Sequence, residues 1–227
     1  MEFGTVELAD LYDEVSHPDG ISPQRLREIT APLVERTISG DNLDGFRRGA
    51  RPWKRLKEEI LPVRDLISAQ YSDAVSVRFP LDSSFPDAWL RFENGRQLGV
   101  EVTGALVRSD VEVGKELMSG VPVAALIGLP DEAPQRDFTM ARQKGRMWHS
   151  AIHVDSVLIN GVKKALADKD DEKYAGFALL VVAPLRRRPR RSDVEWREIL
   201  LQSAEMLPFA EIYLMERSGA PRTIRVK

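Results

Sequence analysis

Pro86-Asp87-Ala88-Trp89-Leu90-Arg91-Phe92-Glu93-Asn94-Gly95-Arg96-Gln97-Leu98-Gly99-Val100-Glu101-Val102-Thr103 is the stretch on which the fold turns. Two alternating segments flank Glu93-Asn94-Gly95, which reads as a tight turn with glycine at a φ > 0 position. A two-residue Asn94-Gly95 loop would pair Asp87 with Val102 and leave Glu101 on the opposite face. A three-residue Glu93-Asn94-Gly95 loop, with Gly95 in the bulge, pairs Asp87 with Glu101. Binary pattern chooses between them. The three-residue register gathers Ala88, Leu90, Phe92, Leu98, Val100 and Val102 on one face, with Arg96 at the turn end. The other face carries Asp87, Trp89, Arg91, Gln97, Gly99, Glu101 and Thr103. The two-residue register mixes Trp89 with Val100 and Arg91 with Leu98. A slip of one residue moves every side chain to the other face, so a segregated pattern selects its register. Two acids are therefore expected side by side, and opposed like charges need neutralising. A divalent cation is the natural agent.

The segments around this hairpin define an α/β order. Residues 1–50 read as an N-terminal helical extension, with Ser22-Pro23 as a helix start and Pro32 as a kink. The rest, 51–227, reads as one α/β domain. A helix is expected from Trp53 toward Ala69, bent or divided at Pro62, followed by a strand at Val75–Phe79. Residues 104–147 read as an irregular insertion with one apolar segment, Val121–Leu129. From Trp148 to Lys169 the apolar spacing is helical. Gly176–Ala183 is a continuous apolar run, as in a strand covered on both faces. Ser192-Asp193-Val194-Glu195 is a capping box opening a helix toward Met206, and strands follow at Glu211–Glu216 and Thr223–Val226.

Composition excludes several classes. A 227-residue chain with 43% hydrophobic and 30% charged residues is neither disordered nor fibrous. The net charge of −2 argues against coating nucleic acid by bulk electrostatics, although Arg186-Arg187-Arg188-Pro189-Arg190-Arg191 is a dense local positive patch. Such a run is most often a solvated loop; its place after the apolar strand makes it a candidate nucleic-acid contact. No apolar run approaches the roughly 18 residues of a membrane span, and the first residues lack the order of a secretion signal. A cytoplasmic protein without membrane contact is expected. The chain has no cysteine, hence no thiolate zinc site and no cysteine nucleophile. No phosphate-binding glycine loop, dinucleotide fingerprint or nucleophile elbow is present. His149 and His153 stand four apart, but Ser150 occupies the position where a zincin has glutamate.

With Pro86-Asp87 on the second strand and Glu101-Val102-Thr103 on the third, the order resembles the PD-(D/E)XK phosphodiesterase superfamily. The resemblance covers about 53–217 and implies a restriction-endonuclease-like core, a mixed central sheet flanked by helices. It implies a divalent-metal-dependent nuclease, with Asp87, Glu101 and the backbone carbonyl of Val102 holding Mg²⁺ or Mn²⁺. A helix-one acid would add to that set, and Glu59 suits this better than Glu58 because it shares the stripe of Leu56 and Val63. The implied partner is nucleic acid, DNA being the expected form, and a homodimer is compatible with the pattern. This chain departs from the family where lysine should stand two residues after the acid, for Thr103 is there. Thr cannot supply an ammonium's charge to water or phosphate. In some members the following helix provides the lysine. Lys164 is the choice here, Lys163 the alternate, and Lys169 lies on the apolar stripe itself. The departure also supports a second expectation, a catalytically inactive protein of the same fold that binds nucleic acid or regulates.

Overall fold

The computed structural model describes the chain except residues 1–2, 36–37, 39, 83, 119–126, 144–149, 187–189 and 217–220. Its centre is an open six-stranded mixed sheet, β1 (Ala74–Arg78), β2 (Ala88–Phe92), β3 (Gln97–Gly104), β4 (Ala178–Val182), β5 (Glu211–Glu216) and β6 (Arg222–Arg225), in that spatial order. β1, β2 and β3 form an antiparallel meander; β4 and β5 run parallel to β3, and β6 returns antiparallel. The helices are α1 (Thr5–Ser16), α2 (Pro23–Thr30), α3 (Pro32–Glu35), α4 (Gly40–Arg48), α5 (Leu61–Gln70), α6 (Val107–Met118), α7 (Gln135–Gln143), α8 (Ala151–Ala167) and α9 (Asp193–Glu205).

The hairpin adopts the three-residue register. Ala88 pairs with Val100, Trp89 with Gly99 and Leu90 with Leu98, and the ladder closes with Phe92 N–H donating to Arg96 O. Gly95 has φ +80°, the left-handed conformation the bulge demands. On the second face Gly99 is bare because Pro86 and Phe177 lie over it; a Cβ there would meet each at 2.8 Å.

Alternation along β4 divides the interior in two. Ala178 and Leu180 join Val100, Leu90, Tyr213 and Met215 in a core under α1, α2 and α5. Leu179 and Val181 join Ile212 and Leu214 in a core under α8 and α9. The apolar run of β4 thus reflects a strand buried on both sides. Residues before 50 are built into the first core through Leu8, Leu11, Val15 and Leu26.

Local signals act where their residues stand. Ser192 Oγ accepts from Glu195 N–H while the Glu195 carboxylate accepts from Ser192 N–H, opening α9. The helix expected from Trp53 is divided near Pro62, as a π-turn, Leu56–Ile60, running into α5. Pro62 lacks an N–H and crowds the preceding turn, and the wider turn relieves this. Pro32 separates α2 from α3.

The expectation of an irregular 104–147 is corrected: α6 and α7 lie there. Asp131 caps α6 from afar, its two carboxylate oxygens accepting Val107 N–H and Arg108 N–H, both at 3.0 Å. Arg108 then stacks over Phe138 of α7, and Phe138 packs with Ile127 and Ala133 in a small third core. The Val121–Leu129 segment lies largely outside the described residues. α8 starts at its Ser150 cap, later than the Trp148 start the spacing suggested.

Candidate active site

One step past the Ala88–Val100 pair, the register sets Asp87 opposite Glu101. Asp87 Oδ2 accepts the Val102 N–H at 2.8 Å, which ties the approach to β2 onto β3. Glu101 is only 6% exposed, because α8 and the turns after it roof its face of the sheet. Its Oε1 accepts from Lys169 Nζ at 2.6 Å, and its Oε2 is buried with no hydrogen-bond partner among the described residues. An orphaned buried carboxylate oxygen is costly unless something outside the protein engages it.

Burial, reinforced by the charge of Glu101, pushes Asp87 up to about 6 against the opposing Val102 N–H bond. Glu59, on the π-turn, is pushed up to about 7 by burial and then by the charge of Asp87. Burial opposes the charge of Lys169, but the hydrogen bond and charge of Glu101 outweigh it and hold the ammonium above its ordinary value. Three acids, with the cations Lys169 and Arg55, thus lie where the C-terminal ends of parallel strands open, the usual place for ligands in an open α/β sheet.

Two cavities adjoin these acids. The larger, about 700 Å³, lies at the ends of β3, β4 and β5 and is lined by Glu59, Asp87, Glu101, Val102, Thr103 and Lys169, with Lys54, Lys57 and Arg186. The smaller, about 350 Å³, shares Glu59, Asp87 and Glu101 and adds Arg55, Phe85, Lys173 and Tyr174.

Lys164 is not brought to the acids, a correction to the sequence expectation. It pairs with Asp168 and approaches Glu132 at 3.8 Å, in a separate cavity beside Leu106. Lys163 is exposed. Lys169 lies in the turn that follows the C-terminus of α8, from where its ammonium reaches Glu101 on β3. Glu59 does stand with the pair. Arg96 stacks on Phe92 at 4.4 Å and Arg64 pairs with Asp65 at 2.6 Å, whereas the charge of Arg55 acts on both Asp87 and Glu59.

Of the arginine run, Arg186 lines the larger cavity while its N–H donates to Glu216. Arg190 is exposed, and Arg191 is engaged by Asp155 and lies 3.7 Å from Glu195, so it secures α9 to α8. Arg187 and Arg188 lie outside the described residues. So do His149 and Trp148; His153 contacts Gly128 O at 3.1 Å. Phe85, Lys173 and Tyr174 were not anticipated, although Phe85 stands directly before Pro86-Asp87.

Among the described residues no set of three or more histidine or acidic side chains is arranged to enclose a metal ion. Mg²⁺ commonly needs only one or two protein carboxylates, the rest of its shell being water and substrate phosphate. Asp87, Glu101 and the orphaned Glu101 Oε2 fit that demand with hard oxygen donors. No helix among the described residues is long and apolar enough to cross a membrane. Comparison with known proteins returns no matching family model, curated protein or solved structure.

Proposed function

We propose that this chain is a divalent-metal-dependent nuclease with a restriction-endonuclease-like core, hydrolysing phosphodiester bonds of nucleic acid, DNA being the expected substrate. The observation that carries the reading is the state of Glu101: one oxygen held by Lys169, the other buried beside Asp87 and unpartnered among the described residues. The meander with an acid on its third strand, followed by α8 and the apolar β4, supports the fold assignment.

Asp87, Glu101 and the carbonyl of Val102 would hold Mg²⁺ or Mn²⁺, with Glu59 nearby. When bound, such a cation supplies charge to a phosphate and lowers the pKa of a water. Lys169 takes the role left vacant by Thr103. Its ammonium has three N–H donors, of which Glu101 engages one, so a donor can be directed at a phosphate oxygen or an attacking water. Glu59, ionising near neutral pH, can accept and return a proton in the working range. Lys54, Lys57 and Arg186 line the larger cavity, where they would meet the negative backbone of a nucleic acid.

The test is cleavage of plasmid and oligonucleotide substrates with Mg²⁺ or Mn²⁺, comparing wild type with Asp87→Ala and Glu101→Ala. Loss of cleavage in both variants is expected; equal activity in all three overturns the proposal. Thr103 favours a second reading, an inactive nucleic-acid-binding or regulatory module. Calorimetry distinguishes it: nucleic-acid binding with no Mg²⁺ or Mn²⁺ binding at millimolar concentration would select the module.

A further inference from the structure

The smaller cavity has an aromatic wall that phosphodiester hydrolysis alone does not use. Phe85, two residues before Asp87, is 50% exposed. Its ring meets Tyr174 edge-on at 5.9 Å, and Tyr174 is held by stacking on Phe209 at 5.3 Å with 16° between planes. The Lys173 ammonium stands 5.6 Å from the Phe85 centroid and 4.8 Å from that of Tyr174. A single exposed phenylalanine is ordinary on a protein surface. This one is braced by a buried tyrosine, flanked by a cation, and opens into a cavity shared with both acids.

We infer that this cleft is a stacking subsite for one unpaired base, which makes single-stranded nucleic acid the substrate class of the proposed nuclease, on which reading the inference rests. A base pair in a duplex has both faces covered by its neighbours, so a protein ring can stack only on a base that is unpaired or extruded. A cavity of about 350 Å³ is at the small end of ligand pockets and accommodates one base. Arg55 and Lys173 on this side, with Lys54 and Lys57 on the other, give a flexible backbone cationic contacts on both flanks of the acids. Aromatic stacking within a cationic groove is how single strands are bound without sequence preference.

The experiment uses the full chain, a labelled single-stranded DNA oligonucleotide and the corresponding duplex. Binding is read by anisotropy in EDTA and cleavage in Mn²⁺, for wild type, Phe85→Ala and Phe85→Trp. Wild type should bind the single strand more tightly than the duplex. Phe85→Ala should weaken single-strand binding about tenfold and raise KM for its cleavage, with duplex binding unchanged and Phe85→Trp restoring affinity. Equal single-strand affinity in wild type and Phe85→Ala, or tighter binding of duplex, overturns the inference. Cleavage that ignores Phe85 removes the subsite and leaves the nuclease standing. Phe85-dependent binding without any cleavage removes the nuclease and keeps the subsite.

Discussion

Lys169 Nζ donates to Glu101 Oε1 across 2.6 Å, although 68 positions separate the two residues in the chain. Glu101 is on the third strand, and Lys169 follows the helix that roofs that strand. The pair is largely enclosed, with 20% of the Lys169 side chain and 7% of the Glu101 side chain exposed. Its loss would be felt both in chemistry and in stability.

Lys169→Met should lower the rate of Mn²⁺-dependent cleavage by about 100-fold or more, the usual range for a positioned proton donor or charge. Lys164→Met, which removes only exposed pairing with Asp168 and Glu132, should keep the wild-type rate. Lys169→Met also strands a buried carboxylate and should cost about 3 kcal/mol in urea unfolding at pH 8. Adding Glu101→Gln to it should recover part of that loss, since the carboxylate that Lys169 neutralised is then gone. A double variant less stable than Lys169→Met would count against the pairing argument.

Asp87 binds its proton more tightly in the folded chain, at about 6, than a free aspartate does. The folded state therefore holds more protons than the unfolded state between about pH 4 and 6, and this group's contribution makes stability fall as pH rises through that window. Glu59 acts in the same direction up to about pH 7. In EDTA, Asp87→Asn should be more stable than wild type at pH 8, by on the order of 1–3 kcal/mol, with the advantage gone at pH 4. Urea unfolding at the two pH values measures this. A variant weaker than wild type at both would show that the ionised acid is not a source of tension.

Addition of Mg²⁺ or Mn²⁺ should raise the melting temperature of the wild type at pH 8. At a cation concentration near 100 times Kd the gain is about 2.7 kcal/mol. Protonation of Asp87 and Glu59 should abolish the gain at pH 5, and Asp87→Asn or Glu101→Gln should abolish it at either pH. Scanning fluorimetry reads the shift, and an equal shift in the variants would place the ion elsewhere.

Gly99→Val should destabilise the chain by about 2 kcal/mol and reduce cleavage, because the new side chain crowds both Phe177 and Pro86, and a shift of Pro86 moves Asp87. Gly95→Ala is the control. Its Cβ would meet nothing within 4 Å, so only the left-handed backbone opposes it, at about 1 kcal/mol with cleavage retained. If Gly99→Val cleaves normally, the packing at Gly99 does not position the acid.

The parts that were legible share one property: their physics is local. The register followed from a period of two across an odd-length turn, and it alone brought Asp87 opposite Glu101. The capping box at Ser192 and the breaks at Pro32 and Pro62 depend on residues within one helical turn. α6 and α7 escaped because their support is not local. The α6 cap is Asp131, beyond the helix it opens, and the shorter α7 shows little apolar periodicity around the buried Phe138.

The same division runs through the candidate site. Alternation and turn chemistry, read along the chain, determined that two acids share a face, that β4 is apolar throughout and that an aromatic precedes the first acid. Only the tertiary structure decided which lysine reaches them, that Arg191 serves Asp155, and that Phe85 opens on a cavity beside Asp87. A helix can rotate and slide over a sheet without changing its own spacing, so the chain's periodicity cannot choose between Lys164 and Lys169; the packing of α8 on β3 and β4 can.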